Sequence, residues 1–351
     1  MFKKLDNNPF GRNEFSLEPT KESPGAWINP QSYNRYDKSK EVLCSGGANV
    51  GIVKHDGKIY RCFHDLTPIG DMLDYPNCMY KKATPCRVGA ICDASGDQMS
   101  CKIYSQSPLK YSYKNNPIAT RWIENGDPNN LKMEYSYWNI TPTYACNLAC
   151  FFCCNAYKID YEPREVLKNE RKKEDWFKFF KSLSHKTIKT SIVFIGGEPL
   201  AYYGIEDLIE KAVSYGFDCS MVTNFSIFRK LDKILSLSSL TPDNFKLSIS
   251  LHPINKQFNF EKTIEYIKKF KERGYSIRTI MVSAPEQIEA YKQFKPILNS
   301  LGIDCWLKGM GGYDNHPGFT PELKKYIFDE GGYKSTAEHL DEINWIEKNW
   351  K

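Results

Sequence analysis

The residues Cys146-Asn147-Leu148-Ala149-Cys150-Phe151-Phe152-Cys153-Cys154 constrain this chain more than any other stretch of it. Three of their thiols, Cys146, Cys150 and Cys153, have the spacing Cys-x3-Cys-x2-Cys, follow an aromatic, strand-like run from Met133 to Thr141, and have Phe152 just before the third. Thiolates are soft ligands that suit iron-sulfur clusters, and such clusters commonly take four of them. The loop offers only three, because Cys154 adjoins Cys153 and a neighbouring residue cannot easily turn its side chain to the same cluster. One iron is therefore left open to another ligand. A zinc knuckle and a set of buried structural thiols are the competing readings.

The loop resembles the three-cysteine loop of the radical S-adenosylmethionine (SAM) superfamily. A second match, Gly196-Gly197-Glu198-Pro199, resembles that family's segment for the SAM amino group. The resemblance implies that Cys146, Cys150 and Cys153 hold a 4Fe-4S cluster whose free iron chelates the amino and carboxylate groups of SAM. It places Phe152 near the adenine and Gly196, Gly197, Glu198 and Pro199 at the amino group. The glycines are expected to let backbone carbonyls come close to SAM, where a Cβ would obstruct. Asn224 resembles the family's Thr-Asn at the end of the third strand, and Ser250 the polar residue set near the SAM carboxylate or ribose. Both positions also read as caps for the helix that follows. After the fourth strand the family often has Asp-Gly or Asp-Arg, where this chain has His252-Pro253. Arg278, on the fifth strand, either points inward toward SAM or pairs with a carboxylate elsewhere.

Beyond Met133, strand-like and helix-like stretches alternate. The expected strands are Met133 to Thr141, Thr190 to Ile195, Asp218 to Thr223, Phe245 to Leu251, Ser276 to Val282 and Asp304 to Lys308. Between them run helical stripes such as Ile205, Leu208, Ile209, Ala212 and Val213; Trp176, Phe177, Phe180 and Leu183; and Phe260, Ile264, Ile267 and Phe270. Alternation of this kind predicts an α/β fold of parallel strands with right-handed helical crossovers. It agrees with the incomplete, TIM-like (β/α)6 barrel of the radical SAM family, here over residues 133–310. A tail over 311–351 is expected to close it, with a helix after Thr320-Pro321, a last helix capped by Ser335 and Glu338, and Trp345 and Trp350 packing. In (β/α) barrels ligands gather at the carboxyl ends of the strands, and every motif residue named above falls there.

The first 132 residues read differently. Residues 1–43 are polar and broken by prolines, an extended or partly disordered arm. Residues 44–101 crowd together Cys44, Cys62, Cys78, Cys86, Cys92 and Cys101, with a β-hairpin signalled by Asp56-Gly57 between Val50 to Val53 and Lys58 to Cys62. Cys44, Gly57 and Cys62, with Ile69-Gly70-Asp71, resemble the opening of the auxiliary-cluster modules called SPASM and twitch, although the later cysteines depart from that pattern and the module normally follows the radical SAM core. The resemblance implies one or two auxiliary iron-sulfur clusters on these six thiols; a zinc-stapled ribbon is the alternative. Residues 102–132 read as a linker.

Composition sets the remaining bounds. A chain of 351 residues, 41% hydrophobic and 26% charged, is globular in character, and a net charge of +6 spread along it does not signal a nucleic-acid partner. No membrane span or signal peptide is seen, so a cytoplasmic location is expected. Twelve cysteines without an export signal point to metal rather than disulfides. Cys219 and Cys305 are expected to be buried, and Cys305 has a rival reading as a hydrogen-atom donor.

By resemblance, the reduced cluster cleaves SAM to a 5′-deoxyadenosyl radical that takes a hydrogen atom from a substrate, with an electron donor such as flavodoxin or ferredoxin. The auxiliary module favours oxidation or cross-linking of a peptide or protein residue. Action on a small molecule, a sugar, nucleotide or amino acid, is the alternative, and a non-catalytic iron-sulfur carrier or assembly factor is the third reading.

Overall fold

The computed structural model describes residues 42–44, 46–48, 50–61, 67–81, 84–85, 102–104, 135–150, 152–153, 168–185, 189–308 and 318–330. The expected arm up to Glu41, the linker beyond Tyr104, the loop at Gly309 to Gly312, the helix capped by Ser335 and Glu338, and Trp345 and Trp350 lie outside them; the end of the expected arm is a strand. So do Cys62, Cys86, Cys92, Cys101 and Cys154.

Strands β1 (Val42–Cys44), β5 (Thr84–Pro85) and β6 (Lys102–Tyr104) make a small antiparallel sheet in the order β5-β1-β6. The start of the expected linker is thus a strand. All other strands join one sheet: β2 (Val50–Val53), β3 (Lys58–Tyr60), β4 (Gly70–Asp71), β7 (Tyr135–Ile140), β8 (Lys189–Phe194), β9 (Asp218–Thr223), β10 (Phe245–Leu251), β11 (Ser276–Val282) and β12 (Cys305–Lys308). From β7 to β12 the strands lie side by side in chain order and all pair in parallel. Helices α1 (Lys173–Ser184), α2 (Ile205–Ser214), α3 (Phe228–Ser236), α4 (Phe260–Glu272) and α5 (Ile288–Ser300) supply the crossovers, and α6 (Pro321–Asp329) follows β12. This is the expected α/β order, with each strand boundary within two residues of its sequence reading.

One sheet face is apolar and lies under the helices. Ile192, Phe194, Cys219, Met221, Leu247, Ile249, Leu251, Met281 and Leu307 are all buried there. They meet the stripe of Ile205, Leu208, Ile209 and Ala212 on α2 and of Ile264, Ile267 and Phe270 on α4. Fully burying one such aliphatic or aromatic side chain contributes about 1.5–3 kcal/mol, so this face is a large part of what stabilises the fold. On α1 the buried aromatics are Trp176, Phe179 and Phe180, while the expected core residue Phe177 is only partly buried. Phe179 is drawn in because it completes an edge-to-face trio with Trp138 and Tyr75, at centroid distances of 5.3 and 5.4 Å.

That trio ties Tyr75 and the hairpin beside it to strand β7 and helix α1. The hairpin expected at Asp56-Gly57 is present: Gly57 has φ +79°, Gly57 N–H donates to Lys54 O at 2.8 Å, and β2 and β3 pair antiparallel. Strand β2 also pairs in parallel with β7, with Gly51 opposite Trp138. A Cβ on Gly51 would come within 2.8 Å of the Trp138 ring, so only glycine lets the two strands meet here. The sheet therefore runs unbroken across the boundary expected between a cysteine-rich module and the barrel. Arg171, ahead of α1, fastens the hairpin: its Nη2 meets Asp71 Oδ2 at 2.6 Å and its Nε donates to Asp56 O at 2.8 Å.

Candidate functional site

At the carboxyl ends of β7, β8, β9 and β10 the loops converge on the three cysteines. The chain leaves β7 through buried Thr141 and Thr143. The Thr143 Oγ1 accepts from Ala145 N–H at 2.8 Å and its hydroxyl donates to the Glu170 carboxylate, which fixes the turn into Cys146.

The turn at Gly196 and Gly197 packs directly on this loop. Gly197 N–H donates to Thr143 O at 3.1 Å and Glu198 N–H to Ala145 O at 2.8 Å. A Cβ on Gly196 would lie 2.3 Å from Thr143 O, and one on Gly197 would lie 2.2 Å from Tyr144 O. Gly196 also holds φ +143°, which side-chain-bearing residues rarely adopt. The fold by itself requires glycine at both positions: the space a side chain would need is filled by carbonyls of the cysteine loop.

Glu198 is wholly buried beneath the site. Its Oε1 accepts from Leu200 N–H at 3.0 Å and from the Thr223 hydroxyl at 2.6 Å, and its Oε2 from Asn224 N–H at 2.6 Å. Burial pushes its carboxyl up to about 7 against the pull of those three donors. Pro199 and Leu200, also buried, begin the 3-10 turn Pro199–Ala201 that Glu198 caps. Asn224, at the end of β9, turns its Nδ2 to Asn147 Oδ1 at 3.0 Å and to Cys146 Sγ at 3.6 Å. Ser226 closes the ring, its hydroxyl donating to Asn224 Oδ1 at 2.6 Å and accepting from Asn147 Nδ2 at 2.7 Å. Between them Phe225 is buried at φ +58°, a non-glycine outlier that its neighbours hold in place.

The β10–α4 loop covers the other side. The His252 ring lies 5.5 Å from that of Phe152, tilted by 43°. Burial pushes His252 down to about 4, and its Nδ1 is buried with no hydrogen-bond partner among the described residues. Asn255 Nδ2 donates to Cys150 Sγ at 3.2 Å and to His252 O at 3.3 Å. Ser250 is half-buried on the sheet face opposite the helices. On that same face Ser248 Oγ accepts from Arg278 Nε at 3.0 Å, and among the described residues Arg278 meets no carboxylate. Trp306, in register with Ile280 beside Ser250, is 64% exposed there.

The donor set fits a thiolate-bound cluster. Burial, with the charge of neighbouring groups including the other thiols, pushes Cys146 and Cys150 up to about 12, so a cation must displace their protons for them to ligate. Leu148 N–H, at 3.4 Å, and Asn224 point at the Cys146 sulfur, and Asn255 at that of Cys150, where a neutral thiol is a poor acceptor and a thiolate a good one. Among the described residues no three His, Cys, Asp or Glu side chains lie close enough for a single metal ion. A multi-iron cluster sets its thiolates further apart than one ion does.

Of the six N-terminal cysteines, Cys44 and Cys78 are among the described residues. Cys44 is on β1, and Cys78 is half-buried beside Gly70, its Sγ 3.7 Å from Asp71 O. Gly70 and Asp71, which resemble the auxiliary-module element after the hairpin, seat Cys78 and anchor Lys58 and Arg171. Cys219 and Cys305 are buried, and burial raises both thiols. Sequence reading missed Asn147, Ser226 and Asn255. Asn147 and Ser226 adjoin motif residues, whereas an asparagine three residues past His252 carries no spacing signal.

Residues 140–294 match the Radical SAM superfamily. The chain is 28% identical over 152 residues to a GTP 3′,8-cyclase of Aliarcobacter butzleri, a match covering 40% of this chain and 45% of that protein. It is 30% identical over 155 residues to an S-adenosylmethionine-dependent nucleotide dehydratase of Flammeovirga pacifica, covering 40% and 51%. The chain thus spans about half the length of the curated relatives it matches. The structure of Streptococcus suis SuiB bound to S-adenosylmethionine overlaps 60% of this chain and 51% of its own at 20% identity and a TM-score of 0.41.

Proposed function

We infer that this chain, which carries a radical SAM domain over residues 140–294, is an enzyme that takes a hydrogen atom from an organic substrate. In this reading Cys146, Cys150 and Cys153 hold a 4Fe-4S cluster. SAM would be held beside it by Phe152, Gly196, Gly197, Glu198, Pro199, Asn224 and Ser250. The bound cofactors supply the one-electron chemistry and the abstracting radical. The protein supplies position. Glu198 locks the ends of β8 and β9 together, the Asn147, Asn224 and Ser226 ring fixes the cysteine loop, and Phe152 with His252 walls one side against water.

The observation that carries this is the convergence of separate strand ends on one loop: the turn after β8 through its two glycines, the end of β9 through Asn224, and the β10 loop through Asn255. The curated relatives named above act on nucleotides, and the sheet face opposite the helices presents Arg278 and exposed Trp306, a cation and an aromatic plane. Both features favour a small phosphorylated or heterocyclic substrate. Modification of a peptide residue is the second reading, supported by the likeness of Cys44, Gly57 and Cys62 to an auxiliary-cluster module with one or two further clusters. No helix among the described residues is long and apolar enough to cross a membrane.

Anaerobically reconstituted protein, reduced with dithionite and given SAM, is expected to release 5′-deoxyadenosine, faster when the right substrate is present. Screening nucleotides against peptides then separates the two readings. No 5′-deoxyadenosine under any condition would leave only a non-catalytic role.

A further inference from the structure

Asn255 stands out among the residues around the cysteine loop because nothing in the three-cysteine pattern calls for it. Its side-chain amide has two N–H groups, and each has a partner: Cys150 Sγ at 3.2 Å and His252 O at 3.3 Å. The residue is also fixed through its backbone, since Asn255 N–H donates to His252 O at 3.1 Å and Asn255 O accepts from Phe258 N–H at 2.9 Å. The donor is therefore held in place before any cofactor arrives. Its target, Cys150, is 8% exposed, so water does not compete for the sulfur, and a hydrogen bond there is stronger than one at the surface. Cys146 has donors of its own in Leu148 N–H and Asn224 Nδ2, but those come from its own loop and from β9. The bond to Cys150 is the one that comes from the β10–α4 loop, which also carries His252.

We propose that Asn255 is a positioning residue that sets the reduction potential of the cluster held by Cys146, Cys150 and Cys153, through its N–H bond to the Cys150 sulfur. An N–H aimed at a ligating thiolate withdraws electron density from it and favours the more negative, reduced state of the cluster. The residue thus makes reduction easier. The proposal rests on the reading of the three thiols as cluster ligands.

The test is an anaerobic redox titration of the reconstituted protein, following the electron paramagnetic resonance signal that responds to added SAM, for wild type, Asn255→Ala and Asn255→Asp. Iron and sulfide content is measured alongside. The expected order of midpoint potential is wild type highest, Asn255→Ala lower, and Asn255→Asp lowest, because the isosteric carboxylate replaces a donor with a negative charge. Equal potentials in three cluster-loaded proteins overturn the proposal. Loss of the cluster from both variants, with far-ultraviolet circular dichroism of the apoproteins unchanged, also overturns it, since the residue would then build the site rather than tune it. If no wild-type signal responds to SAM, the reading of the thiols fails, a result distinct from equal potentials.

Discussion

Glu198 Oε2 accepts a hydrogen bond from the backbone N–H of Asn224 at 2.6 Å, joining the turn after β8 to the end of β9 directly beneath the cysteine loop. The carboxyl is buried, and its pKa of about 7 in the fold stands above the ordinary carboxylate value of 4.5. Between those values the folded protein holds a proton that the unfolded chain has released. Stability from this group is therefore full below about pH 4.5 and falls as pH rises to about 7, by on the order of 3 kcal/mol. Glu198→Gln is expected to remove this slope, as read by urea denaturation of the apoprotein at a series of pH values. Glu198→Ala, which strands three donors, is expected to cost about 3–5 kcal/mol.

His252 acts in the opposite sense. Burial holds its folded pKa at about 4, below the ordinary 6.5, so its contribution is full above about pH 6.5 and is lost as pH falls toward 4. From about pH 4.5 to 6.5 the two groups oppose each other in the wild type. His252→Gln is expected to expose the Glu198 slope, stability falling with rising pH, and Glu198→Gln the His252 slope, stability rising with pH. The same denaturation series checks both.

Gly197→Ala is expected to disrupt the site more than its size suggests, because the added Cβ would fall 2.2 Å from Tyr144 O and 2.4 Å from Ala145 O. Backbone cannot yield as a side-chain tip can. Iron and sulfide content after reconstitution should drop sharply, and the apoprotein should lose about 1–3 kcal/mol of stability.

Arg171→Ala removes the charge-assisted bond to Asp71 and the bond to Asp56 O, both at the hairpin between β2 and β3. A loss of about 1–3 kcal/mol is expected, confined to this edge. Hydrogen exchange should quicken across residues 50–60 and 69–75 while β9, β10 and β11 keep their protection. Uniform quickening would show instead that the edge and the barrel strands unfold as one unit.

Much of this molecule could be read from local pattern. Strands β9, β10 and β11 have their expected bounds because alternating burial and flanking turns mark them plainly. On α1 both Phe177 and Phe179 lie within reach of an apolar face, and Tyr75 and Trp138, from other elements, decide that Phe179 is the more deeply buried. The parallel pairing of β2 with β7 left no local trace: Asp56-Gly57 announces the hairpin but not its neighbour in the sheet. At the site, the cysteines and glycines were legible from spacing. Asn255 was not, since its role depends on a loop folding back over Cys150, 105 residues earlier in the chain.

The most direct measurement is electron paramagnetic resonance of the anaerobically reconstituted, reduced protein with and without SAM, for wild type and for a Cys146→Ala, Cys150→Ala, Cys153→Ala variant. The wild type should show a cluster signal that SAM alters, and the variant should lose that signal and about four irons per chain. A wild-type signal indifferent to SAM, or stoichiometric zinc bound through these three thiols, would contradict the account.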